Sequence, residues 1–304
     1  MRDDAGLSEQ VRELARKRRA VILAHNYQRP EVQDVADFVG DSLGLSRQAA
    51  ATDAEVIVFA GVHFMAETAV ILAPGKTVVM PEDRAGCPMA DMITAAKLAA
   101  WRSEWPGVPV VTYVNSSAEV KAASDVCCTS ANAVEVVRSL DVDRVLFAPD
   151  RNLAAWVASQ LPEVDVVGWN GYCPTHDRVT AESVMKASRE HPKAQVLVHP
   201  ECRPEVVALG DRVLSTSQML RYAADSDAEE FIVVTEQGLT HGLRKAAPHK
   251  RFFELSRSMI CPNMKLTTLE KVRDCLEALA PRITVPDDIR GRAFAAVERM
   301  VAIG

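Results

Sequence analysis

The chain has 304 residues, 48% of them hydrophobic and 25% charged, proportions that exclude a disordered, collagen-like or extended coiled-coil protein. Lys plus Arg number 35 against 41 Asp plus Glu, a net charge of −6, the wrong sign for a general binder of nucleic acid. A local anion site survives this argument, because the amides at a helix start bind an oxyanion whatever the global charge.

In chain order, residues 7–19 read as a helix, with no basic start and apolar stretch ahead of them, so a cytoplasmic location is expected. Residues 21–24 form a short buried strand that ends in His25-Asn26-Tyr27, and Asp41-Ser42-Leu43 opens a helix. The apolar run 56–73 is divided by Gly61 and carries His63 and Glu67. It reads as a buried strand, a turn and a buried helix rather than a membrane span. A third strand at 77–80 leads to a loop with Cys87-Pro88.

The same order then recurs twice. Strands at 110–114, 144–148 and 165–168 accompany Tyr113, Asn115, the hydroxyl pair Thr129-Ser130 and Cys173-Pro174. Strands at 196–198, 231–235 and 251–255 accompany His199, Glu201, Ser215-Thr216 and Cys261-Pro262. The intervals match: His25 to Ser42, Tyr113 to Ser130 and His199 to Thr216 each span 17 residues, and successive Cys-Pro cysteines are 86 and 88 apart. Strands alternating with helices imply parallel βαβ units. The expected fold is therefore three α/β/α units, each a parallel sheet between helical layers, arranged with pseudo-threefold symmetry about a central active site. The units run over 20–105, with the helix 7–19 attached, 106–192 and 193–283. A helical segment at 284–304 packs across them.

Loops after the C-terminal ends of parallel strands line the ligand crevice, so three equivalent loops can bring Cys87, Cys173 and Cys261 to one point. Seven cysteines, at 87, 127, 128, 173, 202, 261 and 275, with no Cys-x-x-Cys, argue against a disulfide framework or a zinc ribbon. Three thiolates suit zinc with an open position, or a cubane iron-sulfur cluster in which one iron lacks a protein ligand. The plain alternative is three buried cysteines, since free Cys is commonly buried. Ser42, Ser130 and Thr216 stand at helix starts, where they cap the helix or hold an oxyanion. His25, Tyr27, Tyr113, Asn115, His199 and Glu201 offer donors, acceptors and titratable groups for proton transfer, with Glu201 the best general base. His63, His176 and His241 read as structural. Pro74-Gly75-Lys76-Thr77 ends like a phosphate loop, but Val70 occupies the place of its first glycine. Neither G-x-G-x-x-G nor H-E-x-x-H occurs.

These residues fall within a set of longer motifs. They include Ala24-His25-Asn26-Tyr27-Gln28, Gly40-Asp41-Ser42-Leu43, Gly86-Cys87-Pro88-Met89-Ala90-Asp91 and Tyr113-Val114-Asn115-Ser116. The series continues with Gly171-Tyr172-Cys173-Pro174-Thr175-His176, His199-Pro200-Glu201-Cys202, Ser215-Thr216-Ser217-Gln218-Met219 and Cys261-Pro262-Asn263-Met264-Lys265. Through nearly its whole length the chain resembles the bacterial quinolinate synthases, condensing and dehydrating transferases of de novo NAD biosynthesis that work with L-aspartate oxidase. The resemblance implies that iminoaspartate and dihydroxyacetone phosphate condense to quinolinate, with loss of phosphate and two waters. It implies a [4Fe-4S] cluster on Cys87, Cys173 and Cys261, acting as Lewis acid in dehydration. Substrate contacts would fall to His25, Ser42, Tyr113, Asn115, Ser130, His199, Glu201 and Thr216, and catalysis to Tyr27, Glu201 and His199. Some larger relatives carry a Cys-x-x-Cys-x-x-Cys run ending at the third ligand, whereas Met259-Ile260 precede Cys261 here. Cys127, Cys128, Cys202 and Cys275 are left with buried structural roles. From the residues alone, a three-cysteine zinc lyase and a non-enzymatic redox carrier are the competing classes.

Overall fold

In the computed structural model, which describes residues 4–256 and 258–303, the three strand-helix successions close into three separate four-stranded sheets. The first contains β1 (Ala20–His25), β2 (Phe38–Gly40), β3 (Val56–Ala60) and β4 (Thr77–Val79), in the order β2-β1-β3-β4. The second repeats that order with β5 (Val110–Tyr113), β6 (Val126–Cys128), β7 (Arg144–Ala148) and β8 (Asp165–Gly168). The third repeats it with β9 (Gln195–Val198), β10 (Arg212–Val213), β11 (Glu230–Val234) and β12 (Arg251–Glu254). All strand pairings within the sheets are parallel.

Both faces of each sheet are buried, which is why its central strands read as unbroken apolar runs. Successive side chains alternate between two cores. Val21, Leu23, Ile57 and Phe59, with Val111, Val145, Phe147, Leu197, Phe231 and Val233, point into one core shared by all three sheets. Their neighbours Ile22, Ala24, Val56 and Val58 face a separate core beneath the helices Asp4–Arg18 and Leu269–Ala278. Val110 and Leu146, and likewise Val196 and Ile232, face corresponding outer cores on the second and third sheets.

Each sheet has one strand more than the three expected from the sequence. The additions, β2, β6 and β10, are edge strands of two or three residues, too short to carry a periodic signal. A repeated aspartate holds each in register. Asp37 Oδ2 accepts from the Ile22 amide, Asp125 Oδ2 from Val110 and Asp211 Oδ2 from Val196, each at 2.7 Å and each across 15 residues. The carboxylate immediately before each edge strand thus satisfies a backbone donor at the start of the strand beside it.

The helix Asp287–Ala302 buries Ala293, Ala296, Val297 and Met300 against the helices His63–Leu72 and Ala118–Ala122 and strand β6, and so bridges the first two sheets. Its last carbonyls, which have no partner within the helix, are taken from both sides. Arg47 donates to the Val301 and Ile303 carbonyls at 3.0 and 3.2 Å, and Asn132 Nδ2 to those of Met300 and Ile303 at 3.0 and 2.8 Å. Among the described residues no helix is long and apolar enough to cross a membrane.

Candidate active site

The C-terminal ends of the strands from all three sheets open onto one cavity. His25 ends β1 and Tyr27 follows it, Tyr113 and Asn115 lie at and after β5, and His199 and Glu201 follow β9. Ser42 and Thr216 enter from helix starts, and Cys87, Cys173 and Cys261 from the loops after β4, β8 and β12. With Ser130, all twelve residues singled out in the sequence line this one space. Ser130 does so from a turn rather than a helix start. The following helix is Ala133–Arg138 and its N-cap is Asn132, whose Oδ1 accepts from the Thr129 amide and hydroxyl at 2.9 and 3.0 Å. Ser42 and Thr216 are the first residues of their helices, capped by the Asp41 and Ser215 side chains.

Two histidines are held neutral. Burial lowers His25 to about 4 and His199 to about 3, against the pull of the nearby carboxylates of Asp41 and Glu201 on His25 and of Glu201 on His199. Each ring accepts a backbone N–H two residues on, from Tyr27 to His25 Nδ1 at 3.1 Å and from Glu201 to His199 Nδ1 at 3.3 Å. With Nδ1 an acceptor, the neutral ring carries its proton on Nε2, so each is a donor there.

Glu201 is the only carboxylate of the six strand-end residues and is 4% exposed. Burial pushes its carboxyl upward, but His176 and the hydrogen bonds from His176 and Tyr113 outweigh that and hold it below the usual carboxylate range. Tyr113 Oη donates to its Oε1 at 2.6 Å, and His176 Nδ1 lies 2.8 Å from its Oε2. Burial and the Glu201 charge raise both Tyr113 and Tyr27 well above the ordinary phenol value, so both stay protonated.

His176, read as structural from the sequence, is therefore central. Its Nε2 lies 2.9 Å from Thr235 Oγ1, which in turn lies 2.6 Å from Tyr27 Oη. A continuous path of hydrogen-bonding groups runs from Tyr27 through Thr235 and His176 to Glu201 and Tyr113. Thr235 was not singled out at all. Its sole sequence signal is its place just after β11, and it serves residues 208 positions away. Glu236, likewise unremarked, lines the cavity. It pairs with Lys265 at 2.9 Å, accepts from the Cys261 amide at 3.1 Å, and shares the Lys265 ammonium with the Tyr27 carbonyl.

The three cysteines are of intermediate exposure, while Cys127, Cys128, Cys202 and Cys275 are buried. Burial raises all three thiols, Cys87 to about 12, while backbone N–H groups after each proline pull the other way: those of Ala90 and Met89 at Cys87, of His176 at Cys173, and of Met264 and Asn263 at Cys261. Amides beside a sulfur serve a thiolate far better than a thiol, and a buried thiolate requires a cationic partner. The donor set thus fits an iron-sulfur cluster held by three cysteines. Cys173 Sγ, one His176 nitrogen and one Glu201 oxygen also lie within 4.8 Å of one another, a second set able to contact a metal. His63 lies outside the cavity lining, and His241 pairs with Asp34 at 2.8 Å away from it.

Comparison with known proteins finds likeness through nearly the whole chain. A family model described as "NadA: Quinolinate synthetase A protein" matches residues 9–302. Among curated relatives, a quinolinate synthase of Desulforudis audaxviator is 57% identical over 298 residues, covering 98% of each chain. "Quinolinate synthase 1" of Methanosarcina acetivorans is 54% identical over 299 residues, again 98% of each. A quinolinate synthase of Thermodesulfovibrio yellowstonii is 53% identical over 295 residues, 97% of each.

Proposed function

This chain belongs to the quinolinate synthase family of NAD-biosynthetic enzymes, and on that premise we propose that it condenses iminoaspartate with dihydroxyacetone phosphate to quinolinate, phosphate and two waters. The observation that carries the reading is the convergence of Cys87, Cys173 and Cys261, one from each sheet, on the cavity that also holds Glu201 and the three hydroxyl residues. A [4Fe-4S] cluster on those cysteines would supply a Lewis-acidic iron with an open position.

The chain's own residues supply the rest. Ser42, Ser130 and Thr216 bind the carboxylates and phosphate of the substrates with their hydroxyls, and the free amides of the two helix starts assist. Asn26 Nδ2 donates to Thr216 Oγ1 at 2.8 Å, which leaves that hydroxyl's proton for a substrate oxygen. Neutral His25 and His199 donate from Nε2 to carbonyl or carboxylate oxygens without adding charge. Asn115 Oδ1, buried without a hydrogen-bond partner among the described residues, accepts from substrate. Glu201, ionised and oriented by Tyr113 and His176, removes the carbon-bound protons needed for tautomerisation and loss of water. Tyr27 returns a proton to the leaving oxygen and is replenished through Thr235 and His176. The apolar wall of Val62, Phe64, Met65, Met89 and Met264 excludes water from a hydrolysable imine.

We further read the chain as three units at 20–105, 106–192 and 193–283 with a bridging segment at 284–304. The lability of an imine substrate supports cytoplasmic work beside its producer, L-aspartate oxidase. The test is anaerobic isolation followed by iron, sulfide and zinc analysis and assay of quinolinate from freshly generated iminoaspartate and dihydroxyacetone phosphate. About four iron and four sulfide per chain with quinolinate formed is expected. Replacing any one of the three cysteines with Ala should abolish the cluster. Zinc without sulfide, or a loaded protein that forms no quinolinate, would overturn the reading.

A further inference from the structure

The three cysteine loops are tied to one another as well as to their own sheets. The Cys87 loop meets the Cys173 loop where Met92 accepts from Trp169 Nε1 through its carbonyl and from the Tyr172 amide through its sulfur, both at 3.3 Å. The Cys173 loop meets the third sheet through His176 and Thr235 at 2.9 Å. The circuit closes at Asn263. It stands two residues after Cys261 in the same turn, and its side-chain Nδ2 donates at 2.7 Å to the carbonyl of Gly86, the residue immediately before Cys87. One residue of the Cys261 turn therefore holds the peptide preceding another ligand cysteine, across 177 residues of chain.

A second link lies beside it. Lys271 Nζ donates to Glu82 Oε2 at 2.6 Å, in the Cys87 loop, and to the Leu266 carbonyl at 2.7 Å, in the Cys261 loop. Lys271 stands in the first turn of the helix Leu269–Ala278, where the helix dipole disfavours a cation. An unfavourable local placement offset by two partners in two different cysteine loops marks a position set by the site rather than by the helix.

We propose that Asn263, assisted by Lys271, is a positioning residue that fixes the Cys261 sulfur relative to the Cys87 loop and so governs how firmly the metal cluster is retained. Neither side chain lines the cavity, so neither touches substrate. The proposal rests on the reading of the three cysteines as cluster ligands.

The test uses the cluster-loaded full chain and follows iron loss to a chelator, with the electron paramagnetic resonance spectrum of the reduced protein recorded alongside. Asn263→Ala removes the donor, and Asn263→Asp keeps the shape while setting a carboxylate against the Gly86 carbonyl. Both should release iron about fivefold faster or more, with a broadened or shifted spectrum. Lys271→Met should act in the same direction more weakly, and it carries the test if neither Asn263 variant folds. Asn132→Ala, which loosens the distant clamp on the helix Asp287–Ala302, is the control and should leave release unchanged. Wild-type release rates in the Asn263 and Lys271 variants would overturn the positioning role and leave the ligand assignment standing. Equal acceleration in the Asn132 variant would overturn it too, by attributing the effect to general loosening. Wild-type protein that holds no iron would overturn the ligand reading underneath.

Discussion

Replacing Thr235 with Val tests whether the path between Tyr27 and Glu201 carries a proton. The side chain is 2% exposed, and its hydroxyl is shared between Tyr27 Oη at 2.6 Å and His176 Nε2 at 2.9 Å. Valine nearly preserves the shape and deletes both bonds, leaving two buried polar atoms without that partner. At about 1 to 2 kcal/mol for each, the folded state should lose about 2 to 4 kcal/mol, read as a lower melting midpoint. Loss of a general acid-base route should lower kcat by about a hundredfold, with KM changed little because Thr235 does not line the cavity. Thr235→Ser keeps the hydroxyl and should recover kcat to within about threefold. The assay is quinolinate formation under saturating substrates, with iron measured on the same sample so that activity is referred to loaded protein. A Thr235→Val enzyme with the lowered midpoint and a kcat within about twofold of wild type would refute the relay. The hydroxyl would then be a structural bond and nothing more.

Two further outcomes follow from groups described above. His25 and His199 have folded values near 4 and 3, below the ordinary 6.5, so between those limits the unfolded chain binds protons that the folded chain does not. Stability is then fully present above pH 6.5 and falls on acidification, by about 1.4 kcal/mol per pH unit for each histidine. A melting midpoint of cluster-free protein that stays flat from pH 6.5 to 5 would contradict their neutral burial. A slope roughly halved by His25→Asn would support it. Asn132→Ala removes two bonds to the Met300 and Ile303 carbonyls and two from Thr129, and should lower stability by about 2 to 4 kcal/mol with kcat unchanged. An unaltered denaturation midpoint would show that the clamp contributes nothing.

The threefold architecture was legible because intervals survive where residue identities do not. A cysteine before proline recurring at 86 and 88 residues needs no knowledge of contacts. The edge strands escaped because hydrophobic periodicity needs more than two or three residues, although the aspartates at 37, 125 and 211 stand five positions before Ser42, Ser130 and Thr216 in every repeat. That register was available and physically meaningful, since each carboxylate anchors a neighbouring strand. Ser130 was misplaced by three residues for a related reason. Asn132 takes the N-cap from Thr129-Ser130, and sequence alone ranks these capping residues about equally. His176 and Thr235 were illegible in a different way. Each sits at an unremarkable local position, and its role comes from a partner in another sheet. The repeat is also broken there, since Ala90 and Met264 occupy the positions equivalent to His176 in the other two cysteine loops. The chemistry is asymmetric on a symmetric frame, and only the frame repeats.

The bridging helix Asp287–Ala302 has a consequence for synthesis. Each sheet draws all four strands from about 60 residues of chain, so each can close soon after it leaves the ribosome. The surface joining the first two cannot. The helices His63–Leu72 and Ala118–Ala122 and strand β6 are complete by residue 128, and their cover begins at residue 287. At ordinary elongation rates that interval lasts about 10 to 30 s, during which an apolar seam of the nascent protein lies open. Protection of that seam, by a chaperone or by transient packing of the third sheet, is the demand that this chain order places on the cell that makes it.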